Sequence, residues 1–332
     1  MLACPASLAV STPNGGSLAV SYPAPEVSGG APPTTVSCSP LSGATFPVGS
    51  TPVTCTARDA GQSTASCTFT VTVTNTAQLT ATQFVAFGDS ITAGKLSSDC
   101  GINTANCAIV ALDGPAQRWS ALQQLFANLE ESSAAYPRVL QQLLANRYTS
   151  QSIAIANEGN SNEMVAAGKT RLARTLGSGE QVLLLMQGAN DMNQGTPVAT
   201  VAEDLRAMVR DARSRGMTVF LATLLPQRPR GCRAYDFCDG VEDTALLNTR
   251  LRTIAQSEGA TLVDLYAGFA GQTDTLLGID GLHPSELGYH KMAELFFTAI
   301  TGQLERRQSA GIRMMNESSA HPVGDPGFSP AR

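Results

Sequence analysis

A hydroxyl, an imidazole, a carboxylate and several amides stand far apart in this chain, each just after an apolar run. In "FVAFGDSITAG" (84–94) the run stops at Gly88, and Asp89 and Ser90 follow at once. "GIDGLHPSELGYH" (278–290) places Asp280 three residues before His283 in a glycine-bounded loop, and Pro284 and Ser285 then open a helix. "MQGAND" carries Asn190, and "IANEGNSNE" carries Asn157, Gly159 and Asn162. These types allow hydrolysis by a serine. A base, usually His, must activate the hydroxyl, an acid must orient the base, and donors must meet the oxyanion. Three histidines exist: His283, His290 and His321. His321 lies in an unpatterned tail, and His290 reads as a helix-surface or structural residue. Asp89 adjoins Ser90, yet a carboxylate with an ordinary pKa near 4 is a poor match for activating a hydroxyl, so Asp89 reads as a residue that holds the loop. Taken singly, Asp280 is as well explained as a loop-capping acid and His283 as a helix-entry residue. Their weight comes from being read together with Ser90.

The elements that must position these residues can be read from apolar pattern. Strand candidates are "QFVAFG" (83–88), "SIAIAN" (152–157), "QVLLLMQ" (181–187), "MTVFLATL" (217–224) and "TLVDLY" (261–266), each short and apolar on both faces. Helix candidates lie between and after them. "YPRVLQQLLANRY" gathers Val139, Leu140, Leu143 and Leu144 on one face, and "VATVAEDLRAMVRDARSRG" does so with Val201, Leu205, Met208 and Val209 before Gly216. "TALLNTRLRTIAQSEG" and "SELGYHKMAELFFTAI" complete the set. Alternating strand and helix predicts a five-stranded parallel sheet in a flavodoxin-like three-layer α/β/α sandwich. Ser90 follows the first strand, Asn157, Gly159 and Asn162 the second, Asn190 the third, and Asp280 with His283 the fifth. Parallel strands bring all these ends to one edge, where such sheets bind ligands.

Residues 1–78 differ: they are rich in Ser, Thr, Pro, Gly and Val and nearly free of charge. "TPVTCTARD" and "SCTFTVTVT" alternate as half-buried strands do, with Pro- and Gly-rich separators, which predicts a small all-β sandwich domain. A linker is expected over 75–83, the α/β domain over 79–302 and a loose tail over 303–332. Two pieces escape the alternation: an insertion at 96–135 with Cys100, Cys107 and Trp119, and a loop at 226–240 with a Cys232–Cys238 clip. The Asn316 sequon in the tail is a match expected by chance.

The 332 residues are 43% hydrophobic and 15% charged, with a net charge of −5. That balance supports buried cores and gives no basic footprint for nucleic acid or an anionic membrane. No apolar run approaches the roughly 20 residues of a bilayer helix. The eight cysteines fall in local groups without a CxxC, which favours disulfides over zinc and a compartment outside the cytoplasm. Besides Cys232–Cys238, a Cys100–Cys107 bridge is expected. "MLACPASLAV" lacks the charged n-region and full h-region of a secretory signal.

"FGDSITAG", "NEGNSN", "QGAND" and "DGLHPS", in this order, resemble the four sequence blocks of the SGNH hydrolases, also called GDSL esterases/lipases, over roughly residues 83–300. The resemblance implies Ser90 as nucleophile, His283 as base and Asp280 as orienting acid. It implies an oxyanion hole from the Ser90 N–H, a second-block backbone N–H and the Asn190 side-chain amide. The second block departs from the family's Asn-x-Gly-x-x-Gly, because Asn162 stands at the last glycine. Asn tolerates unusual φ better than most residues, so the donor role passes to Asn162, with Gly159 as the fallback. Residues 3–75 resemble the HYR module, an immunoglobulin-like sandwich of extracellular proteins, and this implies Cys4–Cys67 and Cys38–Cys55 bridges.

The expectation is a secreted or cell-surface serine esterase that needs no metal or cofactor. Its partner would be a small-molecule, polysaccharide or lipid ester, with a surface or matrix contact through the N-terminal domain. Alternatives are a carbohydrate deacetylase, lysophospholipase or acyltransferase on the same site, or a non-catalytic adhesion protein.

Overall fold

The computed structural model describes residues 1–96, 132–227 and 239–306, apart from Asn14, Ser178 and Ile279, with the backbone alone at 239–241. Cys100–Cys107, Cys232–Cys238, Trp119, His321 and the Asn316 sequon lie outside the described residues. Two compact units result, Met1–Ala77 and Gln78–Arg306.

The first unit is built of strands β1 (Leu2–Ala3), β2 (Leu8–Thr12), β3 (Leu18–Ala19), β4 (Glu26–Val27), β5 (Thr35–Ser39), β6 (Thr45–Phe46), β7 (Gly49–Arg58) and β8 (Thr64–Asn75). Its main sheet runs β2–β8–β7–β5, and the pairs β1–β4 and β3–β6 complete it. Period-2 patterning decides the faces. Val53, Cys55 and Ala57 of β7 and Phe69, Val71 and Val73 of β8 point inward, while Thr54, Thr56, Ser66 and Thr68 face solvent. The inward residues pack with Val20, Tyr22 and Phe46, and Tyr22 meets Phe69 edge-on at 4.9 Å. Cys38–Cys55 joins register partners of β5 and β7, and Cys4–Cys67 ties the first residues to β8. Both bridges are those the HYR resemblance implies.

The second unit contains β9 (Gln83–Gly88), α1 (Ser90–Ala93), α2 (Tyr136–Arg147), β10 (Ala154–Gly159), α3 (Val165–Thr175), β11 (Val182–Met186) and α4 (Ala189–Asn193). It continues with α5 (Val198–Ser214), β12 (Thr218–Ala222), α6 (Asp239–Glu258), β13 (Thr261–Val263), α7 (Leu265–Phe269), α8 (Thr273–Leu276) and α9 (Glu286–Leu304). The sheet order is β10–β9–β11–β12–β13 with every pair parallel, the flavodoxin-like arrangement. Val85, Phe87, Leu183, Leu185, Val219 and Leu221 face a core shared with α3, α5 and α6. The alternate residues, among them Phe84, Leu184 and Phe220, are equally buried and point to the other face. On that side α2 and α9 pack together, with Tyr136 stacked on Phe296 at 4.9 Å.

Three details depart from the sequence reading. β10 lies two residues later than expected, and Ala154, Ala156 and Asn157 are exposed because it is the edge strand. β13 stops at Val263 because the Asp264 side chain accepts the Ala267 N–H and starts α7. α3 was not anticipated. Its buried stripe is only Val165, Gly168 and Leu172, and a Cβ on Gly168 would come within 2.3 Å of the Gln187 side chain. Within the segment 75–83, Leu79 is buried and exchanges two hydrogen bonds with the Gln151 side chain. Among the described residues no helix is long and apolar enough to cross a membrane.

Candidate active site

Ser90 is the first residue of α1, directly after β9. Asp89 caps that helix, its buried carboxylate accepting the Ile91 N–H at 3.0 Å. The Ser90 N–H therefore belongs to the first turn, whose amides have no intrahelical acceptor. Ser90 Oγ lies 2.8 Å from His283 Nε2, and His283 Nδ1 lies 2.5 Å from Asp280 Oδ2. The other Asp280 oxygen accepts the Leu282 and His283 N–H groups, each at 3.0 Å. These bonds fix the tautomer: a proton on Nδ1 serves Asp280 and leaves Nε2 to accept the serine hydroxyl. The side chains sit away from water, Ser90 at 7%, His283 at 3% and Asp280 at 4% exposure. The loop is anchored at both ends. Gly278 N–H donates to His283 O at 2.8 Å, and Ser285 caps α9 through the Gly288 N–H. His290 is exposed on α9, and the described residues leave His283 as the imidazole beside Ser90.

The second block carries the residues expected as the remaining donors. Asn162 adopts φ +63°, the left-handed region usually reserved for glycine, so an Asn there is a conformational match. Gly159 cannot serve as readily, because its N–H already donates to Asn157 Oδ1 at 3.0 Å. Gly159 is needed for a different reason: a Cβ there would lie 2.1 Å from the Ala93 nitrogen, at the end of α1. Asn160 N–H donates to Gly88 O at 2.9 Å and holds the block against β9. Asn190 stands in the first turn of α4, and its Nδ2 donates to the Glu163 carbonyl at 3.1 Å.

Four residues that the sequence did not flag lie behind this loop: Glu163, Arg171, Gln187 and Asp191. Burial pushes Glu163 up, but the Arg171 guanidinium, with Asn160 and Gln187, outweighs it and holds the carboxyl below the usual range. Asp191 goes the other way; burial raises it to about 6, against a bond from the Val165 N–H. Glu and Arg eight residues apart are ordinary surface types, and no motif marks the pair. Among the described residues no group of three His, Cys, Asp or Glu side chains is placed to hold a metal ion.

A three-layer α/β/α sheet with a serine, imidazole and carboxylate in line at its carboxyl edge is an arrangement shared by serine hydrolases. Residues 86–291 match the model of the GDSL-like Lipase/Acylhydrolase family, and the chain belongs to that family. Residues 1–73 match the HYR domain. No match was found among curated proteins. Among solved structures, the lipase/acylhydrolase from Enterococcus faecalis is 23% identical with a TM-score of 0.51, covering 68% of this chain and 98% of that one. A carbohydrate acetylesterase family member from Sinorhizobium meliloti is 16% identical with a TM-score of 0.50, covering 67% of this chain and 98% of that one. Both are likenesses of fold.

Proposed function

We propose that the chain is a secreted serine esterase that cleaves carboxylic esters through an acyl-enzyme. The Ser90–His283–Asp280 line, at 2.8 and 2.5 Å, is the observation that carries this reading. As Ser90 Oγ bonds to the ester carbonyl carbon, His283 Nε2 takes the hydroxyl proton and Asp280 stabilises the imidazolium. The carbonyl oxygen becomes an oxyanion, met by the N–H groups of Ser90 and Asn162 and the amide of Asn190. The C–O bond to the alcohol breaks, and the imidazolium proton leaves with it. Water then attacks the acyl carbon by the same route, releasing the carboxylic acid and restoring Ser90.

Secretion is supported by the HYR match and the two disulfides. In this reading residues 1–78 are a spacer or adhesion module and the catalytic domain starts at 79; it runs past the expected end at 302, since α9 continues to Leu304 and Glu305 pairs with Arg147. Ser90→Ala should abolish hydrolysis of p-nitrophenyl acetate, a loss of at least about 10³-fold in kcat, with circular dichroism unchanged. Retained turnover in that variant would remove the mechanism.

A further inference from the structure

Three strand ends of the second unit are tied to one ion pair that the reaction steps do not use. Glu163 directly follows Asn162, and its side chain is 5% exposed. Arg171, reaching back from α3, clasps it with Nε on one oxygen and Nη2 on the other, both at 2.8 Å. Asn160 Nδ2 at 3.0 Å and Gln187 Nε2 at 2.9 Å fill the remaining acceptor sites. The same guanidinium donates to Glu158 O at 3.0 Å and Gly88 O at 3.4 Å, and lies 3.9 Å over the Phe87 ring. Gly88 ends β9, Glu158 lies in β10, and Gln187 follows β11. The Glu163 backbone closes the circuit: its carbonyl accepts Asn190 Nδ2, and two residues on, Val165 N–H donates to Asp191.

We infer that Arg171 and Glu163 are positioning residues that set the oxyanion donors Asn162 and Asn190; this rests on the reading of the site given above. Two physical arguments carry it. The pair is half-buried, Glu163 inside and Arg171 a quarter exposed with Glu158 as a second, looser partner at 3.5 Å, so desolvation offsets much of its attraction and it is weak support for stability. What a forked pair with every acceptor filled does supply is one fixed geometry. Asn162 holds a left-handed φ of +63° that Asn tolerates, and the four bonds to Glu163 begin at the next residue, so the fork fixes the chain directly beside it. A shift of about 1 Å in a donor is enough to lower turnover by about two orders of magnitude.

The test is a mutant cycle on p-nitrophenyl acetate, with melting temperatures taken alongside. Arg171→Met should lower kcat about 10- to 100-fold with KM within about twofold, the split expected when transition-state contacts alone are lost. Arg171→Lys keeps the charge but not the fork and should recover part of that loss. In an Asn190→Ala background the Arg171→Met effect should shrink, because one of the donors it positions is gone. A kcat within twofold of wild type, or an undiminished effect in the Asn190→Ala background, overturns the inference. If Arg171→Met does not fold, Glu163→Gln, which keeps the shape, must show the same pattern at smaller size, and a folded Glu163→Gln with unchanged kcat overturns it equally. Ser90→Ala separates the two failures. Activity in Ser90→Ala sinks the reading of the site, whereas a dead Ser90→Ala beside an unaffected Arg171→Met sinks the positioning role alone.

Discussion

Asp191 sits one position after Asn190, is buried, and accepts the Val165 N–H through Oδ2 at 2.9 Å. Burial raises its carboxyl to about 6, well above the ordinary value near 4. Its protonation therefore adds stability that is fully present below about pH 4 and lost as pH rises through about 6. Above that point the fold carries a buried negative charge. Asp191→Asn keeps an acceptor for Val165 and never ionises. Its melting temperature relative to wild type should thus rise by about 2–4 °C between pH 5 and pH 8. A difference that stays constant over that range would remove the buried-charge account. Asn162 shows how far a single residue was legible. Its departure from glycine was visible in the sequence, and so was the reason it could be tolerated. That the fallback Gly159 has its own N–H engaged by Asn157 was not, because a side chain turning back two residues leaves no periodic mark.

Elements were legible where their ends coincide with a change of residue type. β9 matches its expected span because the apolar run meets a glycine turn, and the same rule located the sites of Ser90 and Asn190. β10 ends two residues beyond its expected span, since Glu158 and Gly159 look like loop but pair with Phe87 and Gly88 as the edge strand continues. α3 escaped because a stripe of two apolar residues around a glycine is too thin to stand out, and with it went the Arg171–Glu163 pair. The close approach of β10 and α1 has a direct test. Gly159→Ala places a Cβ 2.1 Å from the Ala93 nitrogen and 2.5 Å from its Cα, both backbone atoms that cannot swing aside. The strand end and the serine helix must separate, costing about 2 kcal/mol or more of stability. Denaturant midpoints should fall accordingly, and kcat/KM should drop at least about tenfold because the Ser90 helix moves; a variant with wild-type values of both would contradict the contact.

At the scale of the molecule, the two units depend on different forces. Gln78–Arg306 buries both faces of a five-stranded sheet, whereas Met1–Ala77 is small and closes one core with two disulfides. The Cys4–Cys67 loop spans 63 residues and the Cys38–Cys55 loop 17, which in the chain-entropy picture correspond to about 4 and about 3 kcal/mol. Replacing Cys4 and Cys67 by Ala in the full chain should lower the calorimetric transition of the first unit by that order. Esterase kcat should stay within about twofold, because none of Ser90, Asn162, Asn190, Asp280 and His283 belongs to that unit. A parallel loss of activity would mean that the units are not energetically separate.

Asp280 and His283 are three residues apart, yet His283 meets Ser90 across 193 positions of chain. In the proposed mechanism the acid and base thus come from one short loop late in the chain, while the nucleophile and the oxyanion amides come from positions 90 to 190. On that mechanism a chain severed between β12 and α6 would leave two fragments, neither able to turn over an ester alone. Turnover would return only when they reassociate through the core they share, the logic by which a complementation reporter works.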